Sequence, residues 1–236
     1  SAQLIALDRI ADGVVAGEFS LSGKPSSPLL SLTASAPSLG VASLPLTAVR
    51  AKAEGTLSSL KITDFSARLQ ESSVDLSGVI GLSKGEKTNL KIAANKLDLH
   101  SLAAAFFPGV RLGGTLSAQL NVSGKTGGAY TSTLSGTSPF LSVYGVLLEK
   151  AKVSLTPDGE DAFDVALEGV LGESALALEG RAVVSSSGAT ISIKNTKKID
   201  LAKTASALSA HAAGIFTGDA DFSLTGKLGA VPTFEG

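Results

Sequence analysis

The fold is decided by residues 113–125, GGTLSAQLNVSGK. Apolar and polar residues alternate from Leu116 to Ser123, and this period of two predicts a β-strand with one apolar and one polar face. The same order of glycine, alternating strand and Ser/Thr-Gly-Lys stands at Gly17–Lys24 and again at Gly218–Lys227. Three copies of one strand pattern therefore organise the rest of the chain.

The three copies are evenly spaced, because Gly23, Gly124 and Gly226 stand 101 and 102 residues apart. An offset of 102 also relates Leu97-Asp98-Leu99 to Ile199-Asp200-Leu201. Internal repetition at a fixed period is typical of tandem structural units. We therefore predict one continuous β domain over residues 1–236, with repeat units at 14–115 and 116–217 and the start of a third unit at 218–236.

Composition favours many short strands over helices. Of the 236 residues, 44% are hydrophobic, 17% are charged and 5% are aromatic, and 26 are glycine. The period of two gives way to helical spacing at 99–107 and 201–215, where we predict short helices. The predicted fold class is mainly β: an elongated, curled antiparallel sheet with an open groove, built from units of about 102 residues with one short helix each. A closed barrel or a sandwich would bury the same faces.

Charge and cysteine content exclude several classes of function. The formal net charge is −1, which gives no electrostatic reason to expect a nucleic-acid partner. The chain has no cysteine, so it has neither a disulfide framework nor thiolate chemistry. It begins at Ser1 and contains no methionine, so we expect a fragment or a processed product whose membrane anchor, if it has one, lies elsewhere.

The residue combinations that catalysis requires are missing from the sequence. Gly124-Lys125-Thr126 resembles the end of a phosphate-binding loop, but Gln119 stands where the first glycine is needed. His100 and His211 are the only histidines, whereas a zinc site needs three or four ligands. We therefore predict that the protein is not an enzyme, with no catalytic residues, no cofactor and no metal.

Two small charged clusters are better explained by solvation than by ligand binding. A solvated hairpin tip is favoured over a weak calcium site for Asp158, Glu160 and Asp161. A solvated strand end is favoured over contact with anionic headgroups for Lys194, Lys197 and Lys198.

The repeated Gly-x-Phe/Leu-x-Leu-x-Ser/Thr-Gly-Lys strand, the proline-flanked Leu-x-Leu strand after it and the Leu-Asp-Leu before the helix resemble the TamB and AsmA-like proteins of the bacterial envelope. The resemblance runs over the whole chain and is greatest for the repeated periplasmic part of TamB. It implies a curled β-sheet, or β-taco, with an apolar interior groove. It also implies an inner-membrane anchor and an outer-membrane barrel partner, both outside this chain, in a family associated with phospholipid movement and outer-membrane protein assembly.

We therefore expect a periplasmic, non-enzymatic groove that binds phospholipid acyl chains and conducts them between the inner and outer membranes. Burial of methylene groups would drive binding, at about 0.8 kcal/mol each. The apolar faces of the predicted strands give the groove residues: Phe19, Leu21, Leu30, Leu32, Leu60, Ile62, Phe65, Leu76, Leu116, Ala118, Leu120, Val122, Phe163, Val165, Leu167, Leu176, Leu178, Ile191, Ile193, Phe222 and Leu224.

Two other functions fit the same pattern. A scaffold or chaperone could hold an outer-membrane protein strand at an open sheet edge by strand addition. A structural repeat stalk would use the inward residues only as a filled core and would bind no ligand. The sequence pattern alone leaves the choice between a groove and a filled core open.

Overall fold

The structure is a computed structural model. It describes residues 11–41, 44–106, 110–159, 162–185, 188–197, 199–200, 204, 219–220, 223–227 and 233–235. Its strands are β1 (Ala11–Gly13), β2 (Ala16–Lys24), β3 (Ser27–Val41), β4 (Leu44–Gly55), β5 (Ser59–Leu69), β6 (Ser72–Gly81), β7 (Lys87–Asp98), β8 (Leu112–Lys125), β9 (Tyr130–Val143), β10 (Val146–Pro157), β11 (Ala162–Leu171), β12 (Ser174–Ser185), β13 (Gly188–Asn195), β14 (Ile199–Asp200), β15 (Asp219–Ala220), β16 (Ser223–Lys227) and β17 (Thr233–Glu235). Helix α1 spans Leu99–Phe106.

The strands pair largely in the order in which they occur along the chain. Both β1 and β2 pair with β3, and the sheet then runs in chain order from β3 to β13 and on to β16 and β17. Strands β14 and β15 form a separate antiparallel pair. The described strands thus form an open antiparallel sheet, not one closed on itself, with a short helix. The predicted mainly β fold class is confirmed.

The chain divides into two compact units. The first unit is Ser1–Leu97 with Gln119–Ser132, and the second is Asp98–Ala118 with Thr133–Gly236. This division follows packing, and it differs from the predicted repeat bounds at 14–115 and 116–217, which stay a prediction. Helix α1 falls at its predicted place, whereas the helix predicted at 201–215 lies outside the described residues, apart from Thr204.

In the first unit, strand register collects apolar side chains into rows. Residues directly opposite each other on neighbouring strands point to the same face of the sheet. One row pairs Phe19 with Leu32, Leu32 with Ala53 and Ala53 with Ile62. The row is possible because Thr63 is an extra residue in β5. Asp64 is opposite Lys52 and Ile62 is opposite Ala53, so Thr63 has no opposite residue in β4. The change of parity between Ile62 and Phe65 along β5 is therefore absorbed by a β-bulge.

A second irregularity occurs in both units. Ala48 in β4 and Lys150 in β10 have φ values of 50° and 51°, a conformation uncommon for residues other than glycine. Each stands where the register with the next strand shifts, between Thr47 and Arg50 in β4 and between Glu149 and Lys152 in β10. The two positions are 102 residues apart, so the backbone carries this feature at the spacing of the sequence repeat.

The cores of the two units form at these same bulges. In the first unit, Val49 packs with the buried Ala36 and Ala67, against partly buried Leu39, Leu46 and Phe65. In the second unit, Leu148 and Ala151 pack with Leu171, against Leu141, Val146, Leu167 and Leu176. Each bulge changes which residues of its strand face the core, and apolar residues on both sides of it are thereby buried.

Asp98 caps the N-terminus of helix α1. Its Oδ1 accepts a hydrogen bond from the His100 N–H at 3.3 Å, and its Oδ2 accepts one from the Ser101 N–H at 3.1 Å. Its Oδ2 also accepts a hydrogen bond from the Ser101 hydroxyl at 2.5 Å. This hydroxyl, helped by the two backbone N–H groups, lowers the pKa of the Asp98 carboxyl below its usual range. Aspartate is a favoured N-cap residue, because its carboxylate satisfies free N–H groups of the first helical turn.

We predict a pH-dependent contribution of Asp98 to stability. Since its folded pKa lies below the unfolded value of about 3.9, the stabilisation is present above that value and is lost as pH falls through the folded pKa. At pH 7, Asp98→Ala should lose about 1 kcal/mol of unfolding free energy. Denaturant titrations at several pH values would measure this. Asp98→Asn, which keeps a capping oxygen without titrating, is the control, and a loss in Asp98→Ala that is equal at pH 7 and pH 2 would contradict the assignment.

A second prediction concerns the bulge residues. Because glycine adopts positive φ without strain, Ala48→Gly and Lys150→Gly should leave the unfolding free energy unchanged or raise it slightly. Ala51→Gly, three residues along β4 in ordinary strand geometry, is the matched control and should lose about 1 kcal/mol. Chemical denaturation of the three variants tests both statements. Equal losses in all three would mean that the bulges are not populated in solution.

Candidate functional site

Two rows of apolar residues cross the second unit side by side. In the first row, Leu155 is opposite Val165, Val165 is opposite Gly180, and Gly180 is opposite Ile193. In the second row, Gly136 is opposite Val153, which leads to Leu167 and Leu178. Register therefore brings large apolar side chains and glycines from five strands to one face of the sheet.

The glycines in these rows stand where neighbouring atoms leave little room for a side chain. A Cβ atom on Gly180 would lie 2.1 Å from the carbonyl oxygen of Ser192, so the neighbouring backbone excludes any side chain there. A Cβ atom on Gly136 would lie 3.0 Å from Leu116 Cδ1 and 3.1 Å from Val153 Cγ1. Glycine thus permits close approach of the backbone at the first position and of side chains at the second.

An apolar pocket of about 280 Å³ lies on this face, wholly within the second unit. Ten apolar side chains line it: Leu99, Leu112, Leu116, Leu141, Val143, Val153, Val165, Leu167, Leu178 and Ile193. The walls come from the first residue of α1 and from strands β8 to β13. With no titratable side chain among the lining residues, this pocket offers burial of an apolar group and no acid–base chemistry.

The sequence predicted half of the lining residues. Leu116, Val165, Leu167, Leu178 and Ile193 were expected on an apolar interior face, and the pocket brings them together. The five that were missed are Leu99, Leu112, Leu141, Val143 and Val153.

The missed residues fall into two groups. Val153 alternates with Leu155 along β10, so its period of two was a usable signal. Leu141 and Val143 follow Pro139 in β9, across from the Lys150 bulge, where the strand changes the parity of its apolar residues. No simple alternation predicts their side of the sheet.

Three other predicted groove residues of the second unit lie outside the pocket wall. Ala118, Phe163 and Leu176 are half-buried, and Leu176 packs against the core of this unit. Ile191 and Leu224 lie in β13 and β16, with Ile191 opposite Gly226 and Leu224 opposite Ile193 and Phe234. Phe222 lies outside the described residues.

The predicted groove residues of the first unit divide by exposure. Seven are half-buried: Leu30, Leu60, Ile62, Phe65, Leu76, Leu120 and Val122. Three are exposed, namely Phe19, Leu21 and Leu32, whose side chains are 66%, 60% and 36% exposed, and their place in a groove stays a prediction. The physical reason is that β2 pairs only with β3, and no other element covers its face within the described part of the chain.

The motifs that resembled chemical sites have structural roles here. Thr126 lies in the β8–β9 turn, where its Oγ1 donates to the Gly81 carbonyl at 2.5 Å and its N–H donates to the Glu86 carbonyl at 2.9 Å. Asp158 forms an ion pair with Arg181 at 2.7 Å. His100 is exposed in the first turn of α1.

Two further kinds of site are absent from the described ranges. These residues contain no group of three or more His, Cys, Asp or Glu side chains that could hold a metal ion. No helix among them is long and apolar enough to cross a membrane.

Comparison with known proteins identifies no relative. No protein-family model, no curated protein and no solved structure matches this chain.

Proposed function

We propose that this protein is not an enzyme and that its second unit binds an acyl chain in the apolar pocket. The single observation that carries the proposal is the pocket of about 280 Å³, whose ten lining side chains are all apolar. Unfilled apolar space lined by leucine, valine and isoleucine is typical of a site for an apolar ligand. Burial of each methylene group would contribute about 0.8 kcal/mol to binding.

The proposed ligand is a phospholipid or another lipid with an acyl chain. The pocket takes a segment of such a chain, and the remainder follows the apolar row of the same unit, in which Leu134 is opposite Leu155 and Leu155 is opposite Val165. The charged headgroup stays in water because burying an unpaired charge is costly. Binding of this kind depends on apolar area and shape, and it discriminates weakly between acyl chains of similar length.

The resemblance to the TamB and AsmA-like proteins supports a wider proposal. The chain would act in the periplasm, as part of a protein anchored in the inner membrane, and would conduct acyl chains between the two membranes of a bacterial envelope. The pocket is one position on this path. The partner at the outer membrane would be a barrel protein that contacts regions outside this chain.

Filling the pocket tests the proposal directly. Val165→Phe places a larger side chain among the lining residues and should lower affinity for a fluorescent fatty acid at least tenfold. An unfilled pocket accepts the added volume, so the melting temperature should change by only a few degrees, whereas a packed core would lose about 1–3 kcal/mol. Native mass spectrometry of the purified chain measures bound phospholipid at the same time.

The matched control is Val170→Phe, in the same strand but at a position of opposite parity and outside the pocket wall. It should bind the probe as the wild type does. Unchanged probe affinity in Val165→Phe, or no lipid and no probe on the wild type, would contradict acyl-chain binding and favour the filled core of a structural stalk.

A second candidate function is strand addition to a client protein, and the exposed edge strand β2 favours it. All nine residues from Ala16 to Lys24 are exposed, and β2 pairs only with β3 among the described strands. Its other edge therefore offers backbone N–H and C=O groups to a further strand. Phe19 and Leu21 would supply apolar contacts beside that ladder.

Edge protection tests this second function. A lysine on an edge strand disfavours pairing with another chain, so Leu21→Lys should weaken binding of an extended peptide from an outer-membrane β-strand by about tenfold or more. Leu29→Lys, on β3 and also exposed, adds the same charge away from the edge strand and is the control. Fluorescence anisotropy with a labelled peptide provides the affinities. Equal affinities for Leu21→Lys, Leu29→Lys and the wild type would exclude β2 as the docking strand.

A further inference from the structure

Two arginines of the first unit lie together on the polar side of the sheet. Arg50 in β4 and Arg68 in β5 are both exposed, and both line one pocket of about 320 Å³. A neighbouring polar pocket of about 340 Å³ shares Arg68 and Ser73 with the first. The surface formed by Arg50, Ser66, Arg68 and Ser73 is called the arginine site below. It belongs to the first unit and shares no residue with the apolar pocket, which belongs to the second.

Every directly opposite neighbour of these two arginines carries a hydroxyl group. Arg50 is opposite Ser35 on one side and Ser66 on the other. Arg68 is opposite Thr47 on one side and Ser73 on the other. Guanidinium and hydroxyl groups are hydrogen-bond donors, and together they are the set that binds phosphate oxygens in proteins.

Two lysines of the same unit each have an acidic residue opposite them on one side. Lys52 is opposite Asp64, and Lys61 is opposite Glu54, so register balances these charges in pairs. Neither Arg50 nor Arg68 has an ion-pair partner within 4.0 Å in the part of the chain that the structure describes. The nearest acids by register and pocket are Asp75, which is opposite Ser66, and Glu71, which lines the second pocket with Arg68.

The bulge at Ala48 brings the two arginines to one place. Residues 48 and 49 both stand across from Ala67, so the register steps from Thr47–Arg68 to Arg50–Ser66. A bulge of this kind bends the strand and redirects its side chains. Ala48 lines the same pocket as the two arginines, so the bulge forms part of the pocket wall.

The second unit provides an internal comparison, because the same bulge carries different charges there. The positions 102 residues on from Thr47, Arg50, Ser66 and Arg68 are Glu149, Lys152, Glu168 and Val170. Their register is the same, with Glu149 opposite Val170 and Lys152 opposite Glu168. The first unit thus has two positive charges where the second has one positive and two negative. The fold needs the bulge, but it does not need the arginines.

From this comparison we infer that the arginine site binds an anion that carries a phosphate group. The two guanidinium groups supply charge and paired N–H donors, and the flanking serines supply further donors. A phosphate of this kind occurs in the headgroup of an anionic phospholipid and as a free phosphate compound in solution. The inference is independent of acyl-chain binding, because it rests on other residues in the other unit.

The test replaces two residues of the arginine site by those that the second unit carries. The double variant S66E/R68V removes one positive charge and adds one negative charge, and both residues occur at the same bulge elsewhere in this chain. Two probes are used with the full chain: vesicles of phosphatidylglycerol in sedimentation assays, and inorganic phosphate in isothermal titration. Binding of the wild type should weaken about thirtyfold in S66E/R68V at low salt. Circular dichroism and the melting temperature should be unchanged.

The two probes distinguish the sources of the phosphate. Affinity for the vesicles alone identifies a lipid headgroup, and affinity for inorganic phosphate identifies a free phosphate compound. The double variant K87Q/K91Q, which also removes exposed charge from the first unit, should keep at least half of the wild-type affinity. Equal binding by S66E/R68V and the wild type, or binding of neither probe by the wild type, would overturn the inference.

The reciprocal variant strengthens the test. E149T/K152R/E168S/V170R gives the second unit the residues that the first unit carries at the four matched positions. It should raise the stoichiometry of bound inorganic phosphate from one to two per chain. S66E/R68V should still bind the fluorescent fatty acid, and Val165→Phe should still bind the phosphate probe. Failure of acyl-chain binding and failure of phosphate binding therefore have separate signatures. A folded reciprocal variant whose stoichiometry stays at one would count against these four positions as the site.

Discussion

Cross-strand register is the constraint on which the rest of this structure depends. A one-residue slip in a strand moves all of its apolar side chains to the other face, so every parity change has to be compensated. The chain does this with bulges, at Thr63 in β5 and at the positive-φ residues Ala48 and Lys150. The rows of apolar residues, the cores of both units and the arginine site all follow from where those bulges occur.

Alternating sequence was enough to predict a mainly β chain and the place of helix α1, because both depend on local periodicity. It was not enough to predict on which face of the sheet a side chain lies once the strand has passed a bulge. Leu141 and Val143 line the apolar pocket although they differ in parity from Leu134 and Gly136 in the same strand. This change of parity falls across from Lys150, whose left-handed conformation has no marker in its residue type. Alternation also does not show how far a polar face is buried. Gln119 lies on the polar face of β8, yet it is half-buried, and its Nε2 donates to Asn121 Oδ1 at 3.2 Å.

Exposure of the predicted groove residues depends on neighbours that periodicity cannot supply. Phe19 and Leu178 belong to the same kind of alternating strand, yet one side chain is 66% exposed and the other 9%. β2 is paired on one side only among the described strands, whereas β12 lies between β11 and β13. A pattern of apolar residues therefore predicts which face is apolar, and the number of neighbouring strands decides how far that face is buried.

Repetition also separates what the fold requires from what it merely permits. Where two copies of one bulge keep the same register but differ in charge, the shared features are structural and the differing ones are free to serve binding. Leu69 and Leu171 are both buried at matched positions, and so are Ser72 and Ser174. Arg68 and Val170 are matched in the same way, yet they have opposite character. The two units consequently keep one packing scheme and offer different surfaces, an apolar pocket in one and a pair of arginines among hydroxyl groups in the other.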